Sequence, residues 1–229
     1  MSLFDFWVGF LYNEGMKKVG FKKSYQKYVK GDFIRLTKWQ WVGVMMLVWV
    51  ISGFIGWVYE LLVGLISQGE FYMVGGNLLP WMNIYAIGAV LLVPIVWRIR
   101  KYPWVVFLVS ALVTGVVELV GGWLVYTVGN GTRYWNYDQG PWAFGSINGF
   151  VCPLSVTIFG AFALVLCYAV LPWLVFMAGK WTQRAFLTLA VTLFVVVMVD
   201  ELTNLTLKNL GEPTAMDFYR SLGLKYQEF

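Results

Sequence analysis

Residues 41–66 read Trp-Val-Gly-Val-Met-Met-Leu-Val-Trp-Val-Ile-Ser-Gly-Phe-Ile-Gly-Trp-Val-Tyr-Glu-Leu-Leu-Val-Gly-Leu-Ile, an apolar run interrupted by a single ionisable residue, Glu60. A helix rises about 1.5 Å per residue, so about 20 such residues cross the roughly 30 Å of hydrocarbon in a bilayer. The run therefore reads as a membrane-spanning helix. Its glutamate is the residue to explain, because an ionisable group at membrane depth is costly unless it faces protein or water.

Outward along the chain the pattern recurs in residues 104–128, where Glu118 is the acid. Around Glu60, Gly56 and Gly64 repeat every fourth residue, with Gly53 and Trp57 on the same helical face. Around Glu118, Ser110, Thr114 and Gly122 do the same, flanked by Ala111 and Gly115. Stripes of small residues let membrane helices approach closely, so both faces are expected to pack inside a bundle.

The whole chain agrees. Of 229 residues 59% are hydrophobic and 13% charged, against about 45–50% and about 25% in soluble domains. Five spans are expected, from Trp41 to Ile66, Trp81 to Trp97, Trp104 to Val128, Gly149 to Val170 and Phe186 to Leu205, the fourth continuing past Pro172 to Ala178 if proline kinks it. The expected fold class is all-α, a polytopic bundle of about five transmembrane helices with an N-terminal amphipathic interfacial segment. Three regions follow: a basic, aromatic segment 1–38, a transmembrane domain 39–206 and a short tail 207–229.

Lys17, Lys18, Lys22, Lys23, Lys27, Lys30, Arg35 and Lys38 precede the first span; Arg98, Arg100 and Lys101 follow the second; Lys180 and Arg184 follow the fourth. Short cytoplasmic loops retain such charge, which is expected to place the N-terminus inside and the C-terminus outside the membrane. Anionic lipid beside the spans accounts for the net charge of +5, and nucleic acid is not expected as a partner. Phe21, Tyr25 and Tyr28 at helical spacing, with Phe4, Phe6, Trp7, Phe10 and Leu11, read as an interfacial anchor. The chain has no histidine, and its two cysteines lie too far apart along one span to bridge. With no P-loop either, no cofactor, metal or built-in ATPase is expected.

Both acids fall in the outer half of the membrane: Glu60 precedes Ser67 by seven residues and Glu118 precedes Gly129 by 11, about 10 and 16 Å at helical rise. Asp200 and Glu201 lie near the outer end of the fifth span, where they either reach water or join the same region. Asn83 and Tyr85 on the second span, and Asn148, Ser155 and Thr157 about the fourth, supply polar partners. The loop from Gly129 to Ser146 carries Arg133, Tyr134, Trp135, Asn136, Tyr137 and Asp138, too many polar groups for an aromatic belt alone. Arg133 is the nearest candidate cation for the glutamates. A cavity lined by carboxylates and aromatics suits an organic cation or a polar ligand with apolar parts.

The segment Phe54-Ile55-Gly56-Trp57-Val58-Tyr59-Glu60 resembles the F-L-G-W-I-Y-E opening of the CmpB-like family of type IV ABC-transporter membrane proteins. Arg133 to Asp138 is similar to that family's R-W-W-D-Y-S loop, and Ile147 to Cys152 to its I-N-G-R-I-C segment, with Phe150 in place of the arginine. The segment Leu79 to Ala86 keeps the first proline and the tyrosine of G-P-I-C-P-I-Y-G but lacks the cysteine and second proline. The resemblance implies a transport-associated membrane subunit, with an ATPase or another membrane subunit as partner. The expected ligand-binding set is Glu60, Glu118, Tyr59, Trp57, Asn83, Tyr85, Arg133, Trp135, Tyr137, Asp138 and Asn148. The competing expectations are a membrane-embedded enzyme on lipid-linked substrates, with Glu118 or Asp138 as general base, and a non-catalytic assembly or sensor subunit. Five helices enclose little space, which makes a homo-oligomer compatible with either.

Overall fold

The computed structural model describes residues 20–32, 36–69, 71–128, 131, 133 and 135–225. The expected anchor residues Phe4, Phe6, Trp7, Phe10 and Leu11, and Tyr134 of the loop, lie outside them. Every long element is helical: α1 (Phe21–Lys30), α2 (Lys38–Gln68), α3 (Asn83–Ile99), α4 (Pro103–Val128), α5 (Pro153–Val165), α6 (Leu171–Lys180), α7 (Gln183–Leu210) and α8 (Ala215–Ser221). A π turn, Leu166–Val170, joins α5 to α6. The protein is an all-α, multi-pass membrane protein. Four helical stretches are long and apolar enough to cross a bilayer, Lys38–Ile66, Pro103–Val128, Pro153–Lys180 and Gln183–Leu210.

The remaining expected span, Trp81 to Trp97, corresponds to α3, which has 17 residues and stands at the lower limit of bilayer-crossing length. It starts later than expected because Trp81 and Met82 are otherwise engaged. The Trp81 indole lies over Gly53, where a Cβ would collide with it, and Met82 donates its N–H to the Gly53 carbonyl at 3.1 Å. The fourth span does run on past Pro172. Proline has no N–H for the carbonyl four residues back, and its ring crowds that carbonyl, so the helix widens into the π turn just before it.

The described residues sort into two compact units, one within 20–28, 32–91 and 170–225, the other within 29–31 and 92–169. In the first, α2 packs along α7 and against α6. Thr37 caps α2 by accepting from the Gln40 N–H at 3.1 Å, while the Gln40 side chain accepts from the Thr37 N–H at 2.8 Å, so two orphan donors are satisfied reciprocally. Gly69, at φ 70°, closes its other end. Helix ends are tied together at the Thr37 end: Gln40 Nε2 donates to Ala178 O at 2.5 Å and Thr37 Oγ1 to Gln183 Oε1 at 2.8 Å. Trp81, Ala86 and Val197 form one buried cluster of this unit, with Trp49, Val50 and Leu79 against them.

In the second unit α4 packs on α5 along the stripe of small residues. Val106, Ser110, Glu118 and Gly122 are the buried positions of α4, spaced by four or multiples of it. Gly160 of α5 faces the Phe107 ring, and Gly115 of α4 faces Val156, each so closely that an added methyl would be within 2.9 Å. The expected small-residue seam is thus an interface between helices.

Candidate functional site

Each glutamate has its own setting. In the first unit Gly56 of α2 leaves room for the Tyr85 ring of α3, with which a Cβ there would collide. Tyr85, seated on that glycine, donates its hydroxyl to Glu60 Oε1 one turn further along α2. Tyr59 meets the Tyr85 ring edge-on, with centroids 6.0 Å apart. Trp57 donates its indole N–H to the Val74 carbonyl at 3.0 Å and stacks on Phe54, which ties the following loop to α2.

In the second unit Glu118 is 8% exposed. Tyr137 donates to Glu118 Oε1 at 2.7 Å, and Ser155 on the first turn of α5 to Oε2 at 2.8 Å. The Ser155 hydroxyl also lies 2.9 Å from the Cys152 carbonyl. One hydroxyl carries one proton, so Ser155 donates to one acceptor at a time and can receive a hydrogen bond from a protonated Glu118. Among the described residues neither glutamate makes an ion pair; the pairs formed are Arg133–Asp138 and Arg220–Asp217.

Tyr137 reaches Glu118 because the loop is built around one guanidinium. Arg133 Nη1 donates to the Asn148 carbonyl at 2.9 Å and lies 3.6 Å from Asp138 Oδ2, and the group sits 4.9 Å from the Phe150 ring centroid and 5.1 Å from that of Tyr126. Asp138 accepts from Ser146 at 3.0 Å, and Trp135 donates to the Phe150 carbonyl at 2.8 Å. Gly149, at φ 71°, passes beneath this cluster where a Cβ would strike Arg133 and Asn136. Asn148 itself is left-handed at φ 52° and gives the cluster its backbone carbonyl. The crevice between Gly122, Val125, Arg133, Trp135 and Phe150 is too narrow to admit a water molecule.

The sequence-expected residues therefore divide into three groups. Glu60, Tyr85 and Tyr59 are together, as are Glu118 and Tyr137. Arg133, Trp135, Asp138 and Asn148 form the loop's own network. Asn83 belongs to a third group, donating to Glu201 Oε1 at 2.8 Å while Asn77 donates to Oε2 at 2.7 Å. Asp200 beside it accepts from the Leu79 N–H at 2.8 Å and the Leu78 N–H at 3.2 Å. These acids anchor the loop before α3. Asn77 and Ser146 gave no sign of these partners in the sequence, since a lone polar residue in a loop does not show which acid it will meet.

A family model, ABC_trans_CmpB, described as "Putative ABC-transporter type IV", matches residues 47–205. The chain belongs to this family. The family's segment starts within α2 and ends within α7, taking in both glutamates, the Arg133 loop and the Asp200–Glu201 pair, and leaving out α1 and α8. No curated protein and no solved structure matches the chain. Membership makes this a membrane transport-associated protein.

Proposed function

We propose that the chain is a permease-like subunit that binds a small polar or cationic molecule at its membrane carboxylates, Glu60 and Glu118. The observation that carries this reading is that both acids lie on faces packed by protein, each with a tyrosine hydroxyl on its carboxylate and, among the described residues, no cation paired with it. An intramembrane carboxylate held this way has two uses open to it, exchanging its proton or trading the tyrosine hydrogen bond for a contact with an ammonium or hydroxyl group. On this reading a ligand engages Glu118 by taking the place of the Tyr137 hydroxyl on its carboxylate. The N-terminus is assigned to the cytoplasm and the C-terminus to the outside of a bacterial cell membrane, on the charge bias of the loops. The expected partners are an ATPase or another membrane subunit, or further copies of the chain.

The same hydrogen bonds also brace helices, and one comparison separates bracing from binding. Glutamine keeps hydrogen-bonding capacity at both positions but cannot ionise. In membrane vesicles from expressing cells, radiolabelled choline and spermidine probe quaternary and primary ammonium groups. Accumulation of one of them should be abolished in Glu60→Gln and Glu118→Gln while the folded protein persists in the membrane. Accumulation in the variants equal to that of the parent, or none of either probe in the parent, would remove the assigned role.

A further inference from the structure

α1 has two faces and uses one of them on its own protein. Tyr28 is 1% exposed and Ser24 4%. Phe21 meets Phe176 of α6 edge-on, with ring centroids 5.2 Å apart. The opposite face carries Lys22, Lys23, Gln26 and Lys27, all exposed. None of these lysines makes an ion pair among the described residues.

The position of that face follows from its neighbours. Phe176 lies one turn before Lys180, whose ammonium stands 5.3 Å from the Phe176 ring centroid. The end of α6 is fastened to the start of α2 through Gln40 and Ala178. So α1 lies where spans begin and end. Trp39, 62% exposed on the first turn of α2, and Trp181, 42% exposed between α6 and α7, mark the same level. Exposed tryptophans at span ends sit at headgroup depth in a bilayer. Lys38, Lys180 and Arg184 extend the basic set there, whereas Asp200, Glu201, Glu212 and Asp217 lie toward the other end of α7 or beyond it.

We propose that the Lys22–Lys23–Lys27 face of α1 is a docking surface for the headgroups of anionic phospholipids. The charge is complementary, the depth is that of phosphate groups, and on the opposite side Tyr28 and Ser24 are buried while Phe21 stays 43% exposed beside Phe176, so the lysines supply the headgroup selectivity and Phe21 an apolar contact. A juxtamembrane basic helix acts this way by drawing anionic lipid to within a Debye length. The inference is independent of any role for the glutamates.

The test uses the full chain in phosphatidylcholine vesicles with trace spin-labelled phosphatidylglycerol or, separately, spin-labelled phosphatidylcholine. The motionally restricted fraction of each probe gives the headgroup selectivity at the protein surface. The parent should prefer phosphatidylglycerol, and Lys22→Gln/Lys23→Gln/Lys27→Gln should lose that preference by about fivefold or more, the worth of at least one lysine near an anionic surface. The corresponding triple arginine variant should retain it, and high salt should suppress it in the parent. Unchanged selectivity in the glutamine variant, with both proteins equally helical, would overturn the proposal. So would a parent without lipid preference that instead binds fluorescent polyglutamate through the same lysines, which would make the occupant an acidic protein.

Discussion

At the scale of single residues, the two acids were legible because an ionisable group inside an apolar run has few explanations. Their partners were less so. Tyr85 and Tyr137 stood in the expected set, but nothing in their spacing says which acid each one serves; Gly56 decides that for Tyr85 by leaving room for its ring. Gly149 is legible in the sequence only as the glycine of the I-N-G segment, which does not reveal that it governs the loop. Its φ of 71° suits glycine, and a side chain there would meet Arg133, Asn136 and Asp138. Gly149→Ala should therefore destabilise the loop by about 1–3 kcal/mol, the range for a strained non-glycine residue. The expected readout is a lower unfolding temperature in detergent, together with proteolysis of the 133–151 segment at concentrations of enzyme that spare the parent.

Among the elements, helix existence was readable from apolar length, while the boundaries were not. The second expected span begins late because Trp81 packs on Gly53, a tertiary contact with no local sequence mark. The tail shows what polar residues alone conceal. Asp217 caps α8, accepting from the Thr214 N–H at 2.8 Å and the Thr214 hydroxyl at 3.0 Å. These bonds, the backbone one foremost, hold its carboxyl below the usual carboxylate range. A lowered folded value means that this stabilisation is present above the unfolded pKa and is lost as pH falls through the folded one. Tyr219 behaves oppositely. Burial, then the Asp200 charge, pushes its phenol up, and the protonated hydroxyl donates to the Leu78 carbonyl at 2.5 Å. That contribution is intact below the unfolded phenol value of about 10 and disappears as pH climbs toward the folded one. Amide exchange protection in α8 should accordingly decline at both extremes of pH. Asp217→Asn should remove the acid-side decline and Tyr219→Phe the alkaline one; retention of both declines in these variants would contradict the assignment.

For the molecule as a whole, composition and four long apolar stretches were enough to give a multi-pass helical protein. The division into two compact units was not readable, because three of its breaks fall within α1, within α3 and at the junction of α5 and α6. The proposed orientation rests on the distribution of lysine and arginine, and it has a direct consequence. A cysteine replacing Glu212 should react with a membrane-impermeant maleimide in intact cells, while one replacing Lys22 should react only after the membrane is opened. The native thiols do not interfere, since Cys152 and Cys167 are both buried. Labelling in the reverse order would invert the topology.

Cys152 has a further use by virtue of where it sits. Its sulfur accepts from the Ser155 N–H at 3.3 Å, and the Ser155 hydroxyl meets Glu118. The S–H stretch absorbs in an infrared window free of water and amide bands, so the molecule carries a native vibrational gauge one residue removed from a membrane acid. A change of proton occupancy at that acid alters the serine's hydrogen bonding and, through it, the frequency of a bond that needs no dye, tag or substitution to be seen.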